Sequence, residues 1–290
     1  RNDPRQGLRL CSGKCRMTLP PFAPSIDPAI QTAINAKLDQ IEHDHDVRVL
    51  FAVESGSRAW GFPSPDSDYD ARFVYVNRRE WYLSLTPGRD VIELPVSNEL
   101  DIVGWDLRKA LNLLLKPNLA ILEWLSSPIR YRWNEPACAA LNRLAEGVTH
   151  QSASRHHYLS LGEGQWRQHV GESDEVNLKK YFYILRPALV LRWLRLHPAR
   201  IPPMNLQSLV EGLDLERRTT EQIADLLLAK AQSKEIGSGA RIAEIDNLIL
   251  SEFKMARTEP KCSIGDHCQE EATALFRWLV DGECYENLYA

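Results

Sequence analysis

The 290 residues carry 35 Lys and Arg against 39 Asp and Glu, a formal net charge of −4, with 44% hydrophobic and 26% charged side chains. That balance excludes wholesale disorder and fibrous repeats, and the mild acidity argues against indiscriminate coating of nucleic acid. No apolar run approaches the roughly 18 residues of a membrane span, so a soluble protein without a membrane partner is expected. Cys11, Cys15, Cys138, Cys262, Cys268 and Cys284 form no C-x-x-C pair. Reduced thiols in a cytoplasmic setting are the expectation for a chain of this size. Cys262, His267 and Cys268 lack the matching second half of a zinc site.

Residues 1–25, with Pro4, Pro20, Pro21 and Pro24, read as a loose leader, and those before Met17, the first methionine, are set aside. Asp27 then offers an N-cap with Pro28 at the first helical position. Ile30, Ile34, Leu38 and Ile41 recur at helical spacing behind it. Val47 to Val53 predicts a buried strand, broken by Ser55-Gly56-Ser57-Arg58-Ala59-Trp60-Gly61, where a short helix can start. Further strands are expected over Asp68 to Val76 and Glu99 to Val103, with Val91 to Val96 as an edge candidate because of Pro95. From Asp106 onward the pattern is helical: Asp106–Leu115, Leu119–Leu125, Glu135–Glu146, a pair between His150 and His197, and three more. The expectation is an α+β chain, a small mixed sheet followed by a helical body.

Within the front part, Gly56-Ser57 is followed by Asp68-Tyr69-Asp70 and later by Leu100-Asp101-Ile102. Side chains alternate along a strand, so Asp68 and Asp70 share a face and repel unless a cation lies between them. Asp101, between two apolar residues, predicts a third carboxylate on a neighbouring strand. Three hard oxygen donors suit Mg²⁺, and the turn at Gly56-Ser57 exposes backbone N–H groups that can cradle phosphates. The implied chemistry is displacement at the α-phosphorus of a nucleoside triphosphate. One ion would activate the acceptor hydroxyl and a second would neutralise the leaving pyrophosphate.

The stretches Glu54–Phe62, Ser67–Asp70 and Gly104–Ala110 together resemble the polymerase-β-type nucleotidyltransferase superfamily. They resemble most its bacterial RNA-repair branch, the RNA-ligase-associated polymerase family. Leu122–Ile129 and Lys180–Pro187 are similar to that family too. The resemblance implies a nucleotidyltransferase domain over 26–134, a helical domain over 135–290, and Mg²⁺ bound by Asp68, Asp70 and Asp101.

In the helical body, Leu178, Phe182, Leu185, Leu189, Trp193 and Leu196 form one stripe, with Lys179, Tyr183 and Arg186 along its edge. These three, with Gly56, Ser57 and Arg58, are the expected nucleotide-binding residues. Arg72, on the same strand face as Asp70, is a candidate for phosphate contact or for ion pairing. Trp60 and Trp105 read as core packing. The expected activity is transfer of a nucleoside monophosphate from the triphosphate to an acceptor hydroxyl, with an RNA end as the acceptor the resemblance favours. A protein hydroxyl receiving AMP is the alternative acceptor. A catalytically silent nucleotide-binding scaffold is the non-enzymatic alternative.

Overall fold

The computed structural model describes residues 19–24, 26–86, 88–96, 99–116, 118–148, 151–171, 173–198, 200–232, 237–258 and 268–281. Cys11, Cys15, Cys262, His267, Cys284 and most of the expected leader lie outside them. Cys138 and Cys268 are free thiols.

Helix α1 (Pro28–His45) starts where Asp27 accepts from the Ala29 amide at 2.7 Å, and it ends at Asp46 in the left-handed conformation. Strand β1 (Val47–Ser55) leads into the short helix α2 (Gly56–Ala59), and β2 (Tyr69–Asn77) follows the loop. Helix α3 (Arg79–Tyr82) and the three-residue β3 (Val91–Glu93) precede β4 (Leu100–Asp106). Then come α4 (Leu107–Leu115), α5 (Leu119–Leu125), β5 (Arg130–Trp133), α6 (Glu135–Gly147) and α7 (Gln151–His169). Strand β6 (Glu175–Asn177), α8 (Leu178–Leu196), α9 (Leu206–Glu211), α10 (Arg217–Gln232), β7 (Ser238–Ala240), α11 (Ala243–Thr258) and α12 (Cys268–Asp281) complete the described chain.

The main sheet runs β3-β4-β2-β1-β5 and is mixed: β2 and β4 are parallel, the other neighbours antiparallel. The expected edge strand, β3, is an edge. The β4 strand extends past Val103 to Asp106, where Asp106 caps α4 by accepting from the Arg108 amide at 2.8 Å. Gly104 lets β4 lie against Phe73, since a Cβ there would come within 2.2 Å of the ring. The short β5 was not expected. Four helices, rather than three, follow His197 among the described residues, because α9 has only six residues and shows too little periodicity.

The two faces of the sheet carry different cores. Ile34, Leu38 and Ile41 of α1 pack on Val49, Ala52, Ala71, Phe73, Tyr75 and Ile102. A register shift between Val49 and Phe51 turns both Leu50 and Phe51 to the opposite face. There, with Val53 and Val74, they join a core that continues through α4–α6 into α8 and α11. Helix α8 is buried around most of its circumference, with Arg186 among its buried residues, and it runs unbroken through Pro187. Among the described residues no helix is long and apolar enough to cross a membrane.

Candidate active site

The parallel register of β2 and β4 sets Asp70 directly beside Asp101. Arg72, two residues along β2 and so on the same face, closes the pair: Nη2 donates to Asp101 Oδ2 at 2.6 Å and to Asp70 Oδ1 at 3.1 Å. Its Nη1 donates to the Asp101 carbonyl at 2.9 Å. Burial, reinforced by the charges of Asp101 and Asp68, pushes the Asp70 carboxyl above the ordinary range, while Arg72 pulls against that shift. Three like charges are thus gathered where β2 begins.

The turn after β1 lies against this group. Gly56 has φ of +66°, and a Cβ on it would stand 2.1 Å from Asp70 Oδ2. Only glycine brings the turn this close to the carboxylate. Ser57 Oγ donates to Ser67 Oγ at 3.0 Å, and Ser67 Oγ accepts from the Ser64 amide at 2.9 Å. The loop that delivers Asp68 is therefore pinned to the turn by serine hydroxyls.

Beneath the group lies Glu54, the one carboxylate at the end of the buried β1 run and itself fully buried. It accepts from the Asp70 amide at 3.0 Å and from the Tyr131 hydroxyl of β5. Burial pushes its carboxyl up to about 7, with those two bonds opposing. Sequence reasoning took Glu54 only as part of a motif and did not mark Tyr131. The available signal was a charged residue closing an otherwise apolar strand.

A cleft of about 300 Å³ opens over these residues, lined by Gly56, Ser57, Trp60, Asp66, Ser67, Asp68, Asp70, Arg72, Lys179 and Tyr183. The structure thus brings Asp68, Asp70, Gly56, Ser57, Lys179 and Tyr183 together, with Asp101 joined to them through Arg72. Tyr183 sits edge-on to Trp60 at 6.0 Å, and its phenol is pushed up by burial and by the charges of Asp70 and Asp68. Trp60, read as core packing, is a wall of the cleft as well as partly packed on the core. Trp105 packs on Trp124 with ring centroids 4.0 Å apart.

Arg58 and Arg186 lie off the cleft lining. Arg58 covers the Tyr69 ring at 3.8 Å and donates to the Ser67 and Asp68 carbonyls at 2.6 and 3.2 Å, so it fixes the loop that carries Asp68. Arg186 is buried, donates to Glu123 at 2.9 Å and to the Met204 carbonyl at 3.1 Å, and lies 4.9 Å from the Trp60 ring centroid. It braces the cleft wall from behind.

The donor set, carboxylate oxygens of Asp68, Asp70 and Asp101, suits a hard divalent cation in kind. Among the described residues no three His, Cys, Asp or Glu side chains converge at metal-holding separation, and the Arg72 guanidinium supplies the positive charge between Asp70 and Asp101.

Comparison with known proteins adds two findings. Residues 30–281 match the RNA repair pathway DNA polymerase beta family. A Bacillus subtilis (strain 168) protein described as uncharacterized protein YcgL is 42% identical over 218 residues, covering 75% of this chain and 83% of that protein.

Proposed function

Because this chain belongs to the RNA repair pathway DNA polymerase beta family, we propose that it is a nucleotidyltransferase moving a nucleoside monophosphate from a triphosphate to an acceptor hydroxyl. An RNA end is the acceptor that the family's pathway favours. The observation that carries the proposal is Asp70 beside Asp101 on parallel strands, with the Gly56 turn pressed against Asp70 and Asp68 lining the same cleft.

In this reading the acceptor oxygen bonds to the α-phosphorus while the bond from that phosphorus to the oxygen bridging toward the β-phosphorus breaks. Pyrophosphate leaves with the electron pair, and the hydroxyl proton passes to solvent. Asp68, Asp70 and Asp101 would hold Mg²⁺, two ions being the expected number. Bound there, Mg²⁺ would neutralise charge on the phosphates and make the acceptor hydroxyl more acidic. Asp101 aids removal of the hydroxyl proton, with Arg72 holding its carboxylate in place. The Gly56-Ser57 turn offers backbone donors to the phosphates, and Lys179 supplies a cation on the facing wall. Tyr183 and Trp60 give that wall its aromatic surface. Arg58 and Arg186 act one step back, setting the Asp68 loop and the Trp60 ring.

The test is incubation of the purified protein with Mg²⁺, each α-labelled nucleoside triphosphate, and either total RNA or a cell lysate. Label recovered in RNA supports the proposal. Label recovered in polypeptide shifts the acceptor to protein. Label in neither, with triphosphate bound intact, leaves a nucleotide-binding scaffold.

A further inference from the structure

Glu54 is fully buried, and all four of its polar atoms are bonded. Its amide donates to the Ile129 carbonyl at 3.0 Å, and its carbonyl accepts from the Ser127 hydroxyl at 2.7 Å. One carboxylate oxygen accepts from the Tyr131 hydroxyl and the other from the Asp70 amide at 3.0 Å. Burying a carboxylate is costly, and an apolar side chain of similar size is often the more stable choice. Here the carboxylate closes a fully satisfied network, the condition under which buried polar groups rigidify their surroundings.

The partners come from two directions. Ser127 and Ile129 lie between α5 and β5, Tyr131 lies in β5, and all three are buried. Asp70 comes from β2. Glu54 is paired with Ala71, which belongs with Tyr131 to the core on the α1 side of the sheet. The side chains of Asp70 and Arg72 point to the other face, where both line the cleft. Glu54 is not among the residues of that lining, so it reaches the site through the Asp70 backbone alone. The pairing of β1 with β2 ends at Ser55 and Asp70, where the chain turns away at Gly56. The end of a strand pairing is where the backbone opens most readily, and there the Glu54 side chain fastens the Asp70 amide.

We propose that Glu54 is a positioning residue for the transfer reaction, fixing the Asp70 backbone, and so the Asp70 carboxylate, to a mount formed by Ser127, Ile129 and Tyr131. The inference rests on the reading of Asp70 given above and adds a residue that acts through it. Glu54 also stands two residues before Gly56, so the brace that holds Asp70 holds the turn pressed against it. The segment leading into β5, which touches no substrate in this scheme, thereby sets the spacing between turn and carboxylate. A displacement of about 1 Å at a reacting centre costs on the order of 10²-fold in rate. That cost sets the scale of what a loosened Asp70 loses.

Glu54→Met keeps an unbranched side chain of similar length and removes both acceptors, whereas Glu54→Gln keeps an acceptor for the Asp70 amide. On the full chain, kcat and KM for the triphosphate are measured by α-label transfer, and hydrogen exchange of the Asp70 amide by NMR. The expected result for Glu54→Met is a kcat lower by about 10²-fold, a KM unchanged within about twofold, and faster exchange at Asp70. Glu54→Gln is expected to restore the slow exchange and to bring kcat within about tenfold of wild type. Where Glu54→Met melts below the assay temperature, Tyr131→Phe takes its place, with kcat lower by about fivefold, the equivalent of one ordinary hydrogen bond, and KM unchanged. Wild-type kcat in Glu54→Met, or equal losses in Glu54→Met and Glu54→Gln, would overturn the role of Glu54 while leaving the assignment of Asp70 standing. A fall in kcat accompanied by an equal rise in KM would do the same, because a general loosening of the fold moves both. Wild-type protein that transfers no label would overturn the reading of Asp70, and the positioning role with it.

Discussion

Gly56 and Asp70 occupy one space: the position of a Cβ on Gly56 lies 2.1 Å from Oδ2 of Asp70, at a backbone φ of +66°. Gly56→Ala therefore meets two obstacles, a left-handed conformation costing about 1–2 kcal/mol and a displaced carboxylate. Gly171 separates them. It has φ of +49°, but its nearest neighbour, the Arg167 carbonyl, stands at an ordinary 3.6 Å. Both alanine variants are expected to lose stability in urea denaturation, Gly56→Ala the more of the two, and only Gly56→Ala to lose nucleotidyl transfer.

Arg72 is the resident counter-charge of the carboxylates. Arg72→Met leaves Asp70 and Asp101 facing each other without the charged hydrogen bonds at 3.1 and 2.6 Å. A loss of ~1.5–3 kcal/mol at neutral pH follows from bonds of this kind. Excess Mg²⁺ should recover part of that loss in the variant and shift wild type less, read from thermal midpoints with and without chelator. A variant whose midpoint ignores Mg²⁺ would count against the carboxylates as a cation site.

Glu54 predicts a pH signature. Its carboxyl rises from 4.5 when exposed to about 7 when folded, chiefly through burial. The folded state therefore binds the proton more tightly. The stability this contributes is fully present below pH 4.5 and is lost as pH rises through 7. A shift of this size corresponds to roughly 3 kcal/mol. The stability of Glu54→Gln relative to wild type should accordingly increase between pH 5 and pH 8 in chemical denaturation. A difference that stays flat with pH would show that Glu54 ionises as freely in the folded protein as outside it.

The Arg186–Glu123 pair carries structural weight. Glu123→Leu strips the buried guanidinium of its carboxylate and the Tyr158 hydroxyl of an acceptor at 2.6 Å. The expected loss is about 3–5 kcal/mol. Glu123→Leu with Arg186→Met should recover most of it, as measured by denaturation midpoints.

Much of this was legible in the order of residues. Asp27-Pro28, the run from Val47 to Val53 and the Leu119–Leu125 helix carry their own local signals, and each forms as expected. The three aspartates were visible because carboxylates next to β-branched strand residues need an explanation. What stayed hidden depends on contacts between distant segments. Arg130–Trp133 is too short to declare itself a strand until it pairs with β1. Arg186 lay at the edge of a helical stripe on a wheel diagram, but α8 is enclosed on nearly every side, so edge and core coincide. Lys230 broke the apolar period of α10, yet nothing local could say that Phe62 would lie beneath it.

The most direct test of the central claim compares transfer of α-labelled nucleoside monophosphate by wild type, Asp68→Asn, Asp70→Asn and Asp101→Asn under identical Mg²⁺. Each asparagine keeps the side-chain shape, but Asp70→Asn and Asp101→Asn also weaken the ion pair with Arg72, so transfer is compared at a temperature well below the lowest thermal midpoint of the set. The account predicts transfer by wild type and a fall to background in all three. Wild-type rates in Asp70→Asn would contradict it.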